Sequence, residues 1–340
     1  MTVDLDAATL NRPMTVSNII GIGWKMFVGN IAQFSLISLQ ATAWMLAPLL
    51  LAIVCVWLFF SQTLLLDSFF SLLGIAIPAW LVLFFYCAAQ SLGCIAGVSR
   101  LTYQQLVEAA ALPVEGAAVV DDISAEALST ALRFTRSRKL SLLGSSIVRG
   151  AIVSVVNLVF ILLLGICIGV MFFSAGPATP LGEPNINIGV FLIGLVLTFV
   201  CFIAFIVVSI LVTVRMILSE QALAIESESG AIDSIGRSWK LLKRGVWRTL
   251  GVLFLAGLIS IPISFAVSLL TQSLTTSLFN FQAALEESGP DTFPWLAFIG
   301  FYLATLISSS LANIIIVPFF KTVLTTIYFD ARNRLERVEV

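Results

Sequence analysis

The sequence predicts an all-α polytopic membrane protein: six transmembrane helices with three cytoplasmic amphipathic surface helices, laid out as a threefold internal repeat. Three observations predict it. Of 340 residues, 59% are hydrophobic and 11% charged, against roughly 25% charged in ordinary soluble domains. Six apolar runs, 43–60, 72–98, 147–173, 189–214, 249–270 and 294–320, are of the order of the ~20 residues that cross a bilayer. Finally, all eighteen Lys and Arg fall on one side once these runs alternate. The opposite connections, 61–71, 174–188 and 271–293, have neither, and hold Asp67, Glu183, Glu286, Glu287 and Asp291, a charge of −5 against +4 on the other side. Basic residues stay on the cytoplasmic side, so both termini are expected there.

Residues 1–14 are polar, include Pro13, and read as a disordered leader before a single membrane domain over 15–340. Their acidic start argues against a cleavable signal peptide. From Ser17, Ile20, Trp24, Phe27, Ile31 and Phe34 recur at helical spacing and predict the first surface helix. Two spans follow, then a polar connection over 100–122. Ser124 is placed to cap the second surface helix, with Glu126 in its first turn and Arg133, Arg136, Arg138 and Lys139 at its end, the charge order a helix dipole favours. The third covers about 231–246, with Ile232, Ile235, Trp239, Leu242 and Val246 on one face and Asp233 set to pair with Arg237. Lys240, Lys243, Arg244 and Arg248 load its far end. Such segments lie in a membrane surface with Trp at headgroup depth.

Trp24-Lys25 answers Trp239-Lys240, and the three helices begin about 107 residues apart, near Ser17, Ser124 and Ala231. Arg100, Arg215 and Lys321 stand at matching span ends. The repeat units predicted are therefore 15–122, 123–229 and 230–340, all of one hand.

The chemistry is bounded mainly by what is missing. With no histidine, His-centred acid–base catalysis, Ser-His triads and HExxH zinc sites are excluded. No phosphate-binding glycine loop is present, and no acid lies deep in a span, so no catalytic, cofactor-binding or metal-ligating residue is expected. The five cysteines, Cys55, Cys87, Cys94, Cys167 and Cys201, all fall in spans and read as small apolar side chains. Within the spans, Gln90, Asn157, Ser309 and Asn313 either line a substrate path or bond between helices, and the second reading is preferred. Gly93-x-x-x-Gly97 and Gly165-x-x-x-Gly169 suit close helix packing. Trp24, Trp239 and the two basic clusters (Arg133, Arg136, Arg138, Lys139; Lys240, Lys243, Arg244, Arg248) form a candidate collar for anionic lipid or a membrane partner. These clusters are interleaved with acids and tied to the bilayer, which disfavours nucleic acid.

Two stretches carry a resemblance. Arg215, Glu220, Glu226, Ser238, Trp239, Leu242 and Gly245, together with Pro318, Tyr328, Asp330, Arg332, Arg334 and Glu336, resemble the membrane domain of bacterial glycerophosphoryl diester phosphodiesterases. In that family a basic residue ends the fourth span, a Ser-Trp-x-Leu-x-x-Gly-like helix follows, and a Tyr-Asp-x-Arg-x-Arg-x-Glu-like tail closes the chain. Here Leu242 and Gly245 are spaced slightly differently, and Phe329 separates Tyr from Asp. The resemblance implies a six-span module of the bacterial cytoplasmic (inner) membrane. It does not carry the enzyme activity, which in the family belongs to a separate soluble domain.

The tail is expected to extend the last span as a helix, pairing Asp330 with Arg334 and Arg332 with Glu336. Such exposed pairs contribute only ~0.3–0.5 kcal/mol each. Docking of Asp330, Arg332 or Arg334 against the 215–248 connection, near Glu220 and Glu226, is therefore predicted. The functional expectation is a non-enzymatic module of lipid or envelope homeostasis, acting by lipid binding or by scaffolding a membrane complex. A transporter or channel with its path at the repeat interface is the alternative, and a cavity reaching the intramembrane polar residues would favour it.

Overall fold

A computed structural model describes residues 3–5, 10, 12–61, 66–111, 118–120, 123–173, 188–243, 245–286 and 294–338. In chain order the elements are β1 (Val3–Leu5), α1 (Val16–Gly29), α2 (Ile31–Ser61), α3 (Leu66–Ala111), β2 (Ala118–Val120), α4 (Ala125–Ser137), α5 (Lys139–Phe173), α6 (Ile188–Met216), α7 (Ser219–Ile225), α8 (Ala231–Leu241), α9 (Val246–Glu286) and α10 (Pro294–Val338). The six long helices α2, α3, α5, α6, α9 and α10 are long and apolar enough to cross a membrane. The fold is that of an all-α, multi-pass integral membrane protein.

The short helices start where local chemistry starts them. Thr15 accepts the Asn18 amide at 3.3 Å and Ser124 accepts the Ala127 amide at 3.1 Å, each satisfying an otherwise orphaned N–H of a first turn. Asn30 breaks α1 from α2, its side chain donating to the Met26 carbonyl at 3.1 Å and to Gln105 Oε1 at 3.2 Å. The third surface helix ends earlier than the periodicity suggests. After Leu241 the chain turns through Leu242 to Gly245, and α9 begins at Val246.

The buried core does not run through the middle of the membrane. It gathers at one end, here called the base. Phe27, Phe34, Leu101, Leu106, Leu218, Val252, Val323 and Tyr328 meet in one cluster. Beyond the base, the three hairpins α2–α3, α5–α6 and α9–α10 stay largely uncovered: Phe172 is 76% exposed and Phe254 67%. The cause is the solvent. Leaving hydrocarbon gains an apolar side chain nothing, whereas a fully buried Phe or Leu shielded from water contributes ~1.5–3 kcal/mol. Helices α5 and α6 pack chiefly on one another and join the rest through α3, α7, α8 and α9.

Four expectations are corrected here. The stretch from Arg100 is not all polar connection: α3 runs on to Ala111, because Leu101, Thr102, Gln105, Leu106 and Ala109 continue a buried stripe into the base. The described residues of the 1–14 segment are not free of the fold. Leu10 and Met14 are buried in the core, and β1 pairs antiparallel with β2, Asp4 opposite Val119, a small ribbon that no periodicity announced. Arg237 does not pair with Asp233 but with Glu226 at 3.2 Å. The predicted apolar stripe of α8 is split, with Ile235 and Leu242 buried and Ile232 and Trp239 exposed. Ser234, Ser238 and Leu241 complete the buried face, rotating it away from the Ile232 edge.

At the centre of the base lies α7, seven residues that the sequence reading missed. Its residues Ser219, Gln221, Ala222, Leu223 and Ala224 are buried. Helix α1 packs tightly on α10 at Gly23, where an added Cβ would stand 2.8 Å from Val323 Cγ2. Thr322 Oγ1 donates to the Gly23 carbonyl at 3.0 Å.

Candidate functional site

The functional candidates of α8 are held by small polar side chains. Ser238 Oγ donates to the Arg215 carbonyl at 2.7 Å and accepts the Leu218 amide at 3.2 Å, so it pins the break between α6 and α7. Ser234 Oγ lies 3.2 Å from Ser145 Oγ of α5. The Arg215 guanidinium sits 4.8 Å over the Trp239 ring. This orients the indole, which stays 39% exposed.

The first basic cluster divides by role. Arg138 turns inward, donating to the Leu223 carbonyl at 3.0 Å and to the carbonyls of Glu226 and Ser229. Arg100 donates to the Ala224 carbonyl at 3.2 Å, and both guanidiniums flank the Phe134 ring, at 5.6 and 3.5 Å. Two cations thus close the carbonyl end of α7, where the helix dipole favours positive charge. Lys139 reaches over the Tyr86 ring at 4.9 Å. Arg136 lies 4.0 Å from Cys94 Sγ. Gly93 and Gly97 admit the close approach of α4, with Leu132 Cδ2 2.7 Å from a Cβ built on Gly97. Arg133 remains exposed.

Three carboxylates tie α10 to its neighbours, two to the connection between α6 and α9 and one to α9 and Met14. Glu220 pairs with Lys321 at 2.5 Å, both side chains nearly buried. Glu226 accepts from the Tyr328 hydroxyl, from Ser229 Oγ at 2.8 Å and from Arg237. Burial alone would push the Glu226 carboxyl up, and these three donors together hold it below the usual carboxylate range. Asp330 accepts the Met14 amide at 2.8 Å, Arg248 at 2.8 Å and Arg334 at 3.0 Å. Arg248 and Arg334 also donate to the Met14 carbonyl. Of the residues proposed for tail docking, Asp330 meets Arg248 of the 215–248 stretch and Arg334 of its own helix, whereas Glu220 pairs with Lys321 and Arg332 donates to the Tyr103 hydroxyl at 2.9 Å. The side chain of Glu336, its expected partner, lies outside the described residues, as does Arg244.

Beside this lattice is a cavity of about 460 Å³, bounded by Ile19 of α1, residues 240–243 and Gly245 of the α8–α9 turn, the first turns of α9, and α10 from Ile327 to Leu335. Lys240, Lys243, Arg248 and Arg334 line it together with Asp330.

The intramembrane polar candidates do not converge. Gln90 donates to Tyr86 of its own helix at 2.9 Å, and Ser309 to the Leu306 carbonyl at 3.0 Å. Asn157 accepts from Ser209 at 3.1 Å, linking α5 to α6. The Asn313 side chain is exposed, while its carbonyl accepts from Ser38 at 3.2 Å. None of the four lines the cavity. Cys167 and Cys201 face each other across α5 and α6 at 3.9 Å, both free.

No protein-family model, curated protein or solved structure matches this chain. What the base can do chemically therefore rests on its own geometry. Sequence reasoning missed Trp247, 72% exposed beside Arg248, whose Trp-Arg pair was the available signal. It also missed the inward role of Arg138, for which a helix-end cluster carries none.

Proposed function

We propose that this chain is a non-enzymatic membrane module of lipid or envelope homeostasis, whose charged base lies on the cytoplasmic side and gathers anionic lipid around the three hairpins. The observation that carries the reading is the belt of exposed Trp24, Ile232, Trp239 and Trp247 at the same end as the exposed Arg133, Arg136, Lys240 and Lys243. Indole rings favour headgroup depth. Each basic residue near an anionic surface contributes ~1 kcal/mol, about a fivefold preference.

The likeness to the phosphodiesterase membrane domain is kept as a likeness of membrane architecture. The two stretches that carry it meet through Glu220–Lys321, Glu226–Tyr328 and Arg248–Asp330. Transport is less favoured, because the cavity at the base is not lined by Gln90, Asn157, Ser309 or Asn313.

Two measurements test the reading. Single cysteines at 67, 183 and 287 on a Cys-free background should label from outside, and those at 120, 228 and 336 only after permeabilisation; outside labelling at 228 would overturn the orientation. Native mass spectrometry from nanodiscs of equal phosphatidylglycerol and phosphatidylcholine should show phosphatidylglycerol retained several-fold over its share. Equal retention of the two lipids would sink the lipid reading.

A further inference from the structure

We infer that the cavity between α1, the α8–α9 turn and α10 is a discrete site for one phosphate-headed amphiphile, a phosphomonoester lipid such as phosphatidic acid. The inference deepens the lipid reading above and rests on it.

At about 460 Å³, the cavity lies within the ~300–1,000 Å³ of small-molecule sites. Its lining has two characters. Ile19, Leu241, Leu242, Val252, Ile327 and Leu335 supply an apolar floor, and Lys240, Lys243, Arg248 and Arg334 supply four cations. One carboxylate, Asp330, stands among them, and it is already engaged by Arg248, Arg334 and the Met14 amide.

Lys240 and Lys243 are exposed, and neither has an ion-pair partner among the described residues. The first turn of α9 faces the same space through Arg248 and Thr249, with Gly245 just ahead of it, adding the positive end of a helix whose opening N–H groups lack partners within the helix. A ligand that balances this site must bring more than one negative charge and several acceptor oxygens, as a phosphomonoester does. Lysine ammoniums serve it as point charges, and a guanidinium with donors to spare serves it by its fork.

The floor sets the second requirement. Inorganic phosphate would satisfy the cations and leave the apolar half unfilled, whereas a short acyl or glyceryl stem would cover it. A zwitterionic choline head would bring its own cation among four others.

The test uses the purified full chain in a neutral maltoside detergent, with water-soluble dihexanoyl phosphatidic acid, dihexanoyl phosphatidylcholine and inorganic phosphate as probes. Isothermal titration should give saturable one-to-one binding of the phosphatidic acid, at least tenfold weaker binding of phosphate, and none of the phosphatidylcholine. The exposed-residue variant K240Q/K243Q should lose binding at least tenfold. Ala331→Phe, which fills the floor, should lose the phosphatidic acid but keep any weak binding of phosphate. Lys25→Gln on α1, exposed and outside both the cavity and the basic belt, should bind as wild type. Equal affinity for phosphate and phosphatidic acid would overturn the amphiphile assignment. Phosphatidic acid binding that survives K240Q/K243Q or Ala331→Phe would overturn the site. Enrichment of phosphatidylglycerol in nanodiscs without one-to-one binding would leave the lipid reading standing and remove this site alone.

Discussion

Replacing Asp330 by Asn removes the charge that holds three chain segments together while keeping the shape of the side chain. Asp330 is 4% exposed and accepts from the Met14 amide, Arg248 and Arg334. Breaking a fully buried ion pair costs ~3–5 kcal/mol, but water reaches both cations here. The Arg334 side chain is 43% exposed, so its pair is worth under ~1 kcal/mol. The Arg248 side chain is 26% exposed, which makes its loss smaller than that of a fully buried partner. An Asn oxygen still accepts from Met14, retaining ~1 kcal/mol of a hydrogen bond worth ~1.5–3 kcal/mol to a charged acceptor. The net expectation is ~2–4 kcal/mol of destabilisation, or a drop of roughly 4–8 °C in Tm at the ~2 °C per kcal/mol of larger domains. Thermal unfolding in detergent measures it. The double variant D330N/R248M should recover part of the loss, since no unpaired guanidinium then remains. A D330N protein melting within 1 °C of wild type, by a measurement able to resolve ~0.5 kcal/mol, would refute this account of the base.

Gly23→Ala should cost ~1–3 kcal/mol by overpacking against Val323, while Gly21→Ala, with nothing within 4 Å, should be neutral or slightly stabilising through helix propensity; paired melting curves decide it. Glu226 has a lowered pKa, so its contribution is present above the unfolded value near 4.3 and lost as pH falls through the folded value. Wild type should therefore show an extra loss of Tm below about pH 4.3 that Glu226→Gln lacks, and identical pH profiles would refute the assignment. Mild oxidation with copper phenanthroline should join Cys167 to Cys201, 3.9 Å apart, seen as two fragments that stay linked after cleavage at a protease site placed within 174–187; fragments that separate without reductant would argue against the α5–α6 packing.

What the sequence made legible is what repeats locally. Apolar runs of spanning length, the Ser124 cap and the helical spacing of Ile20, Trp24 and Phe27 all depend on neighbours within a few turns. The base depends on partners far apart in the chain. Arg100 and Ala224 are separated by 124 positions, and Tyr328 and Glu226 by 102, and no periodicity encodes such contacts. Helix α7 has seven residues, too few for a period to register. Polar composition hid the burial of Leu10 and Met14. For the cavity, the sequence offered the basic residues of the α8–α9 turn but not the approach of Ile19 and Leu335 that closes a floor beneath them.

The clasp of Met14 on Asp330 spans 316 positions, and that distance sets an order of assembly. Each hairpin can insert as it leaves the ribosome, because hydrocarbon accepts it without help from the others. The base cannot shut until α10 is complete. At ~5–20 residues per second of synthesis, Leu10, Met14 and the inner face of α1 wait on the order of 15–60 s for their partners. The earliest-made stretch of the core is thus among the last to be covered, and the headgroup layer is the natural place for its apolar face to rest meanwhile.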